Sequence, residues 1–325
     1  MDVNDRVYSR QKIEEAVLIE IVNSPEMQRL KKISQFGMPD EYYHKVGFSR
    51  YEHSLGVLFL VRMLGGGLEE QIVGLSHDVS HTAFSHVVDW ALGDPSKEDY
   101  QDNRHLKFIN NSSLASIFGK NGFSAENIAD LHSFSLVDYP APDLCADRID
   151  YTLREMALES KTLKDIELIL HGLIVSNGKI IFNRKNSAFI FSDYYARLNR
   201  EHWAGTEAKT RYHILAGILK TALSEKILSI KDIEDKDDCE ILKVLEDCES
   251  NFILEKLDFL KKGFKVEKNT SSVSFLLRKK FRYVDPMVLY GSKILRLSEI
   301  NEDYKHTLEL DREKSLNEER ITITR

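Results

Sequence analysis

Three stretches of the chain set ionisable side chains inside runs that are otherwise apolar and helical in period. They are "RYEHSLGV" (Arg50, His53), "HDVSHTAFSH" (His77, Asp78, His81, His86) and "ADRIDYTLRE" (Asp147, Arg148, Asp150, Tyr151, Arg154, Glu155). A buried carboxylate or imidazole is costly unless it is paired or bound to a metal. Six or more such groups in apolar helices therefore point to one shared site. The run "EEQIVGLSHDV" sharpens this, because adjacent residues on a helix point about 100° apart. His77 and Asp78 can converge on one object only near the helix end, and a divalent metal is such an object for imidazole and carboxylate.

The rest of the chain frames these stretches. Its 325 residues suffice for one large domain, or for one domain with a smaller appendage. Hydrophobic content of 42% and charged content of 30% allow a sizeable core. Residues 1 to about 175 read as mostly helical, with a capped restart at Asn23, Ser24 and Pro25 and a buried helix closed by Gly65, Gly66 and Gly67. "GKIIFNRKNSAFIFS" reads as a small β-hairpin turning around Asn183 to Asn186, after which helices resume. "SVSFLL", "KFRYVDPMVL" and "ITIT" read as β-like, so a helical domain over 1–225 and a smaller α+β region over 226–325 are expected.

No apolar run approaches the roughly 18 residues that span a membrane, and the N-terminal stretch has no signal-peptide pattern. Cys145, Cys239 and Cys248 form no CxxC pair and read as free thiols, so a cytoplasmic protein is expected. A net charge of −7 argues against nucleic acid as the main partner. Small phosphorylated substrates need only a few local cations.

The order His, then His-Asp, then a distant Asp resembles the HD superfamily of metal-dependent phosphohydrolases. "SPEMQRLKKISQFG", "RYEHSLGV", "GLSHDVSHTAFSH" and "DRIDYTLRE" together are similar to its deoxynucleotide triphosphohydrolase branch, related to the SAM-and-HD-domain dNTPase. The resemblance implies a mostly α-helical HD-domain fold. It makes His53, His77, Asp78 and Asp147 the ligands of one divalent transition metal (cobalt, manganese, iron, nickel or zinc, with magnesium also admissible). It implies phosphate contacts from Arg50 and Arg148, sugar contacts from Gln35, Tyr151 and Glu155, and a further pair in Arg200 and Tyr212. His81 and His86 match histidines near the scissile phosphate, and either could protonate the leaving group. The implied activity is hydrolysis of nucleoside or nucleoside-analogue mono-, di- or triphosphates by hydroxide from water whose pKa the ion lowers.

Two departures from the branch stand out. Gln101 and Asp102 occupy the places of a catalytic His-Glu pair, and His105, one turn later, is either its substitute or a surface residue. Asn23 and Lys31 stand where the relative's regulatory nucleotide site has an acid and an arginine. An oligomer without nucleotide-driven assembly, acting on analogues such as oxetanocin phosphates, fits that departure. Three rival classes remain open. A zinc protease shares the His77/His81 spacing but needs Glu after the first His and leaves Asp147 idle. An HD nuclease or cyclic-nucleotide phosphodiesterase would use the basic stretches "KKGFKVEK" and "LLRKKFRY", which otherwise read as a solvated face. A non-catalytic nucleotide sensor would not need the metal quartet.

Overall fold

Each helix that carries a site residue begins or ends on a local signal. The structure, a computed structural model, describes residues 1–268, 273–277 and 280–324. Ser24 accepts a hydrogen bond from Met27 N–H, and Pro25 opens the Pro25–Arg29 helix as expected. Ser49 and Glu52 form a reciprocal capping box that fixes the start of the Arg50–Met63 helix. The Leu68–Ser76 helix follows after Gly65–Gly67, and the Ala146–Met156 helix packs across Arg50–Met63. That crossing depends on Gly56. A Cβ there would lie 1.9 Å from Asp150 Oδ1 and 2.0 Å from Arg154 Nη2.

Two apolar cores flank the crossing. The larger joins Val57, Leu58, Val61, Ile72, Ile149 and Leu153 to Phe182, Phe191, Val288 and Tyr304. The second joins Phe36, Phe48, Phe84 and Val88 to Leu215, Leu219, Leu245 and Leu257. Both cores therefore draw on residues from either side of residue 225. No helix of the described residues is long and apolar enough to cross a membrane.

The strands are short. A four-stranded sheet runs Leu173–Ser176, Lys179–Phe182, Met287–Tyr290, Lys293–Arg296, with two antiparallel hairpins joined in parallel at Phe182 and Val288. A three-stranded sheet sets Glu319–Thr324 between Lys265–Lys268 and Phe275–Leu277. The expected hairpin exists, but its turn is Asn177–Gly178 rather than Asn183–Asn186. Both turn residues have positive φ (50° and 74°), which a two-residue hairpin turn requires and Asn-Gly supplies. "SAFIFS" belongs instead to the Lys185–Leu198 helix, where Ala188, Phe191, Ser192 and Tyr195 recur at helical spacing on the buried face. A second hairpin, Asp2–Asp5 with Ser9–Lys12, was not expected from the sequence.

"KFRYVDPMVL" is a strand only from Met287. The stretch before it is clamped by Asp285 N–H to Pro142 O (2.9 Å) and by Tyr304 Oη to Val284 O (2.5 Å). This anchoring brings Lys280 and Arg282 to the rim of the central cleft, where a solvated face was expected. Arg278 and Lys279 of the same basic stretch, and Ser272 of "SVSFLL", lie outside the described residues.

Candidate active site

The helix end at Ser76 explains the His-Asp pair. His77 caps the Leu68–Ser76 helix and turns toward Asp147 of the Ala146–Met156 helix, while Asp78 leaves the helix and turns toward Arg50 and His53. His53 comes from the first turn of the capped helix and is fully buried. Its Nε2 lies 2.9 Å from Asp147 Oδ1 and 3.2 Å from His77 Nε2; His77 Nε2 lies 3.6 Å from Asp147 Oδ1. Asp78 adjoins this trio, with Oδ1 3.5 Å from His77 Nε2 and Oδ2 3.9 Å from His53 Nε2.

These groups suit a metal ion. His53 Nδ1 is bonded to Asp150 Oδ2 (2.7 Å) and His77 Nδ1 to Gly74 O (2.8 Å), both obligate acceptors, so each ring turns its Nε2 inward. Neighbouring ligand atoms about 3 Å apart match an ion with bonds of about 2.1 Å. The charges agree. Burial pushes His53 down, but its bonds to Asp147 and Asp150 outweigh this and bring it up to about 9. Burial likewise pushes Asp147 up, and the two imidazoles hold it far below the usual carboxylate range. Asp78 is held low by Arg50 against the same opposing burial.

A further layer fixes the trio. Asp150 also pairs with Arg154 (3.0 Å), whose guanidinium reaches Asp5 of the N-terminal hairpin at 3.0 Å. Asp150 and Arg154 belong to the third sequence cluster, but Asp5 carried no sequence signal. The loop after Asp78 is strained at Phe84 (φ 61°) and Ser85 (φ 49°), a conformation costing about 1–3 kcal/mol per residue. Asp238 accepts from Phe84 N–H at 2.7 Å, while Arg29 donates to the carbonyls of Val79 (3.1 Å) and His81 (2.5 Å). These bonds hold the strained loop in place.

A cleft of ≈ 380 Å³ opens on the trio. Gln35, Arg50, His77, Asp78, His81, His86, Asp147, Arg148, Tyr151, Glu155 and Tyr212, all singled out in the sequence, line it. A larger groove of ≈ 990 Å³ along Lys243, Asp247 and Phe252 is open and carries none of them. Arg50 donates from Nη1 to Asp78 Oδ2 (2.6 Å) and from Nε to Ser85 Oγ (2.7 Å), while its buried Nη2 has no hydrogen-bond partner among the described residues. Arg148 Nη1 donates to the carbonyls of Tyr139 (3.1 Å) and Asp143 (2.7 Å). His81 sits 3.3 Å from Asp78, and burial together with Arg50 holds it well below the usual imidazole range. His86 lies edge-on to His81 with ring centres 5.2 Å apart and is bonded to Asp89 (3.3 Å).

Glu155 is already committed. It accepts from His202 Nδ1 (2.5 Å), Trp203 Nε1 (2.7 Å) and Lys45 Nζ (3.2 Å). Around it Tyr151, Tyr195 and Trp203 pack edge to face, forming an aromatic end to the cleft.

Two expected residues stand elsewhere. His105 is buried on the Tyr100–Asn110 helix, bonded to Ser80 Oγ at 2.8 Å, and does not line the cleft. It lies one turn beyond Gln101 and Asp102, which do; it is neither a surface residue nor in the place of the missing histidine. Arg200 pairs with Asp311 (2.6 Å) outside the cleft, because the wide turn Asn199–Trp203 points His202 and Trp203 inward in its stead. The sequence reading missed Glu98, Lys209, Lys280, Arg282, His202 and Trp203 as lining residues.

Comparison with known proteins agrees with this geometry. The HD domain model matches residues 50–155, which hold all four expected ligands. The uncharacterized protein YdhJ of Bacillus subtilis is 36% identical over 304 residues, 93% of either chain. The metal-dependent phosphohydrolase cns2 of Cordyceps militaris is 32% identical over 209 residues, covering 62% of this chain and 60% of that protein. The crystal structure of a phosphohydrolase from Bacteroides thetaiotaomicron shares the fold over the full length of both chains, with a TM-score of 0.72 at 17% identity. With its ordered His, His-Asp and Asp gathered at one cleft inside the matched segment, this chain belongs to the HD-domain family of metal-dependent phosphohydrolases.

Proposed function

We propose that this chain hydrolyses phosphate ester or anhydride bonds of nucleotides or nucleotide analogues, with the reacting phosphoryl group at the His53–His77–Asp147 end of the cleft. One observation carries the reading: a compact set of imidazole and carboxylate donors lies beside a buried arginine nitrogen, Arg50 Nη2, that has no hydrogen-bond partner among the described residues. A first-row divalent ion held by His53, His77, Asp78 and Asp147 supplies Lewis acidity and brings the pKa of water toward neutrality. Cobalt, manganese, iron, nickel and zinc all accept such donors.

Arg50 and Arg148 offset charge on the phosphoryl oxygens. Of the two histidines, His86 is the better proton donor to the leaving group. His81 is kept neutral by burial and Arg50, whereas His86 is partly exposed and oriented by the Asp89 carboxylate. Burial raises Asp102 above the usual carboxylate range, which suits a group that takes and returns a proton. The aromatic faces of Tyr151, Tyr195 and Trp203 offer a surface for sugar and base. With Glu155 engaged, Gln35, whose buried Oε1 is unpaired among the described residues, is the better partner for a sugar hydroxyl.

The net charge of −7 favours free nucleotides over a polynucleotide. Nucleoside mono-, di- and triphosphates are incubated with the protein and the products resolved by ion exchange. Release of orthophosphate or of a polyphosphate is expected, with no cleavage of DNA or RNA. Cleavage of oligonucleotides with mononucleotides left intact would replace this reading by the nuclease.

A further inference from the structure

Glu98 is a buried carboxylate to which the chemistry above assigns no part. Its side chain is 2% exposed. Oε1 accepts from Lys209 Nζ at 3.2 Å, and Oε2 pairs with Arg282 and lies 3.5 Å from Lys280 Nζ. All four residues line the cleft. One cation suffices to compensate one buried carboxylate. Here three converge on it, and the cluster keeps two formal positive charges in excess. Arginine and lysine gathered around one set of oxygens is the arrangement that binds phosphate.

The backbone supports the same reading. Glu98 is a non-glycine residue at φ 55°, a conformation that persists only where the surroundings impose it. It sits in the loop ahead of the Tyr100–Asn110 helix, so its carboxylate is carried on a short irregular segment rather than on a helix. The cluster shares its cleft with the metal end, since His77, Asp78 and Asp147 line it too.

We propose that Lys209, Lys280 and Arg282 form a subsite for the outer phosphates of a phosphate chain, and that Glu98 fills it. A substrate with one phosphate leaves this ion cluster intact; one with a di- or triphosphate tail must displace the carboxylate. Glu98 thus sets a preference for single phosphate groups. The inference rests on the nucleotide reading above, but its first test does not require turnover.

Binding of inorganic pyrophosphate to the full-length protein is measured by titration calorimetry at low salt. The wild type is compared with Glu98→Gln, which keeps the shape and removes the charge. Pyrophosphate should bind Glu98→Gln at least about tenfold more tightly, since two or more charge-assisted bonds become available. Glu98→Asp, which keeps the charge but withdraws it by one methylene, should gain less, and it serves if the Gln variant fails to fold. Adding Lys209→Met to Glu98→Gln should abolish the gain. In turnover, the triphosphate-to-monophosphate ratio of kcat/KM should rise about tenfold in Glu98→Gln. Unchanged or weaker pyrophosphate binding in both single variants would overturn the proposal, as would a gain that survives Lys209→Met. A wild type inert toward every nucleotide would sink the functional reading alone, leaving the pyrophosphate result to stand.

Discussion

The two charged ends of the cleft are built in opposite ways. At the metal end His53, His77 and Asp147 sit at or beside the ends of three helices, and each imidazole is locked through Nδ1 by an acceptor that cannot reverse its role. At the other end Glu98, Lys280 and Arg282 stand on irregular segments, and only Lys209 is carried by a helix. Reacting groups must hold position to a fraction of an ångström, and helices packed through a glycine crossing provide that. Recognition tolerates adjustment, and loops provide that. The fold has separated the two requirements within one cleft.

That contrast can be broken at either end. Apart from loss of the ion itself, the largest effect is expected at His86. His86→Gln should lower the rate by about 10²–10⁴ while the ion stays bound, as loss of a proton donor does. His105→Gln should leave the rate nearly unchanged. If His105→Gln proves the more damaging, the proton donor has been misassigned.

His105 should instead be read in stability. Burial lowers it from 6.5 to about 4 in the folded chain. Below pH 6.5 the unfolded chain gains a proton that the folded one refuses, so stability falls from about pH 6.5 down to about pH 4 and then levels off. The gap corresponds to about 3 kcal/mol. His105→Gln should flatten that part of the stability curve, measured by urea unfolding across this range. An unaltered slope would mean that the imidazole is not shielded as described.

A smaller effect is expected one shell behind the trio. Asp150→Asn retains an acceptor for His53 but loses the charge, and should weaken metal binding about 10–100-fold. Chelator competition would measure it; no change would show that the Asp150 charge adds nothing to the site. The smallest effect belongs to Arg200. Its exposed pair with Asp311 is worth at most about 1 kcal/mol, so Arg200→Ala should change neither KM nor kcat appreciably. A raised KM for nucleotides would return Arg200 to the cleft.

The same contrast explains what could be read in the sequence. His53, His77, Asp78 and Asp147 lie in short runs whose apolar context makes each charge conspicuous, so the metal end was visible as a pattern. Glu98, Lys209 and Arg282 lie more than 70 residues apart in ordinary polar contexts, and only the folded chain joins them. The helices were legible where caps and glycines mark them, as at Ser24, Ser49 and Gly65–Gly67. The sequence points to the wrong hairpin turn because the β-branched and aromatic residues of "SAFIFS" resemble a strand, while the turn signal is Asn177–Gly178, ahead of it. His105 rests on its spacing from Gln101 and Arg200 on the family resemblance, and neither says where a turn aims a side chain. Asp5 was invisible, since nothing in its neighbours foretells a partner at Arg154.

The central claim is that His53, His77, Asp78 and Asp147 hold one ion on which hydrolysis depends. Elemental analysis of the purified wild type, beside folded Asp147→Ala and Asp78→Ala, tests it most directly when each sample is also assayed on nucleotides. The account predicts roughly one divalent ion per wild-type chain. Both variants should lose the ion, and with it several orders of magnitude in rate. Full hydrolysis by Asp78→Ala, or by protein stripped of metal, would contradict it.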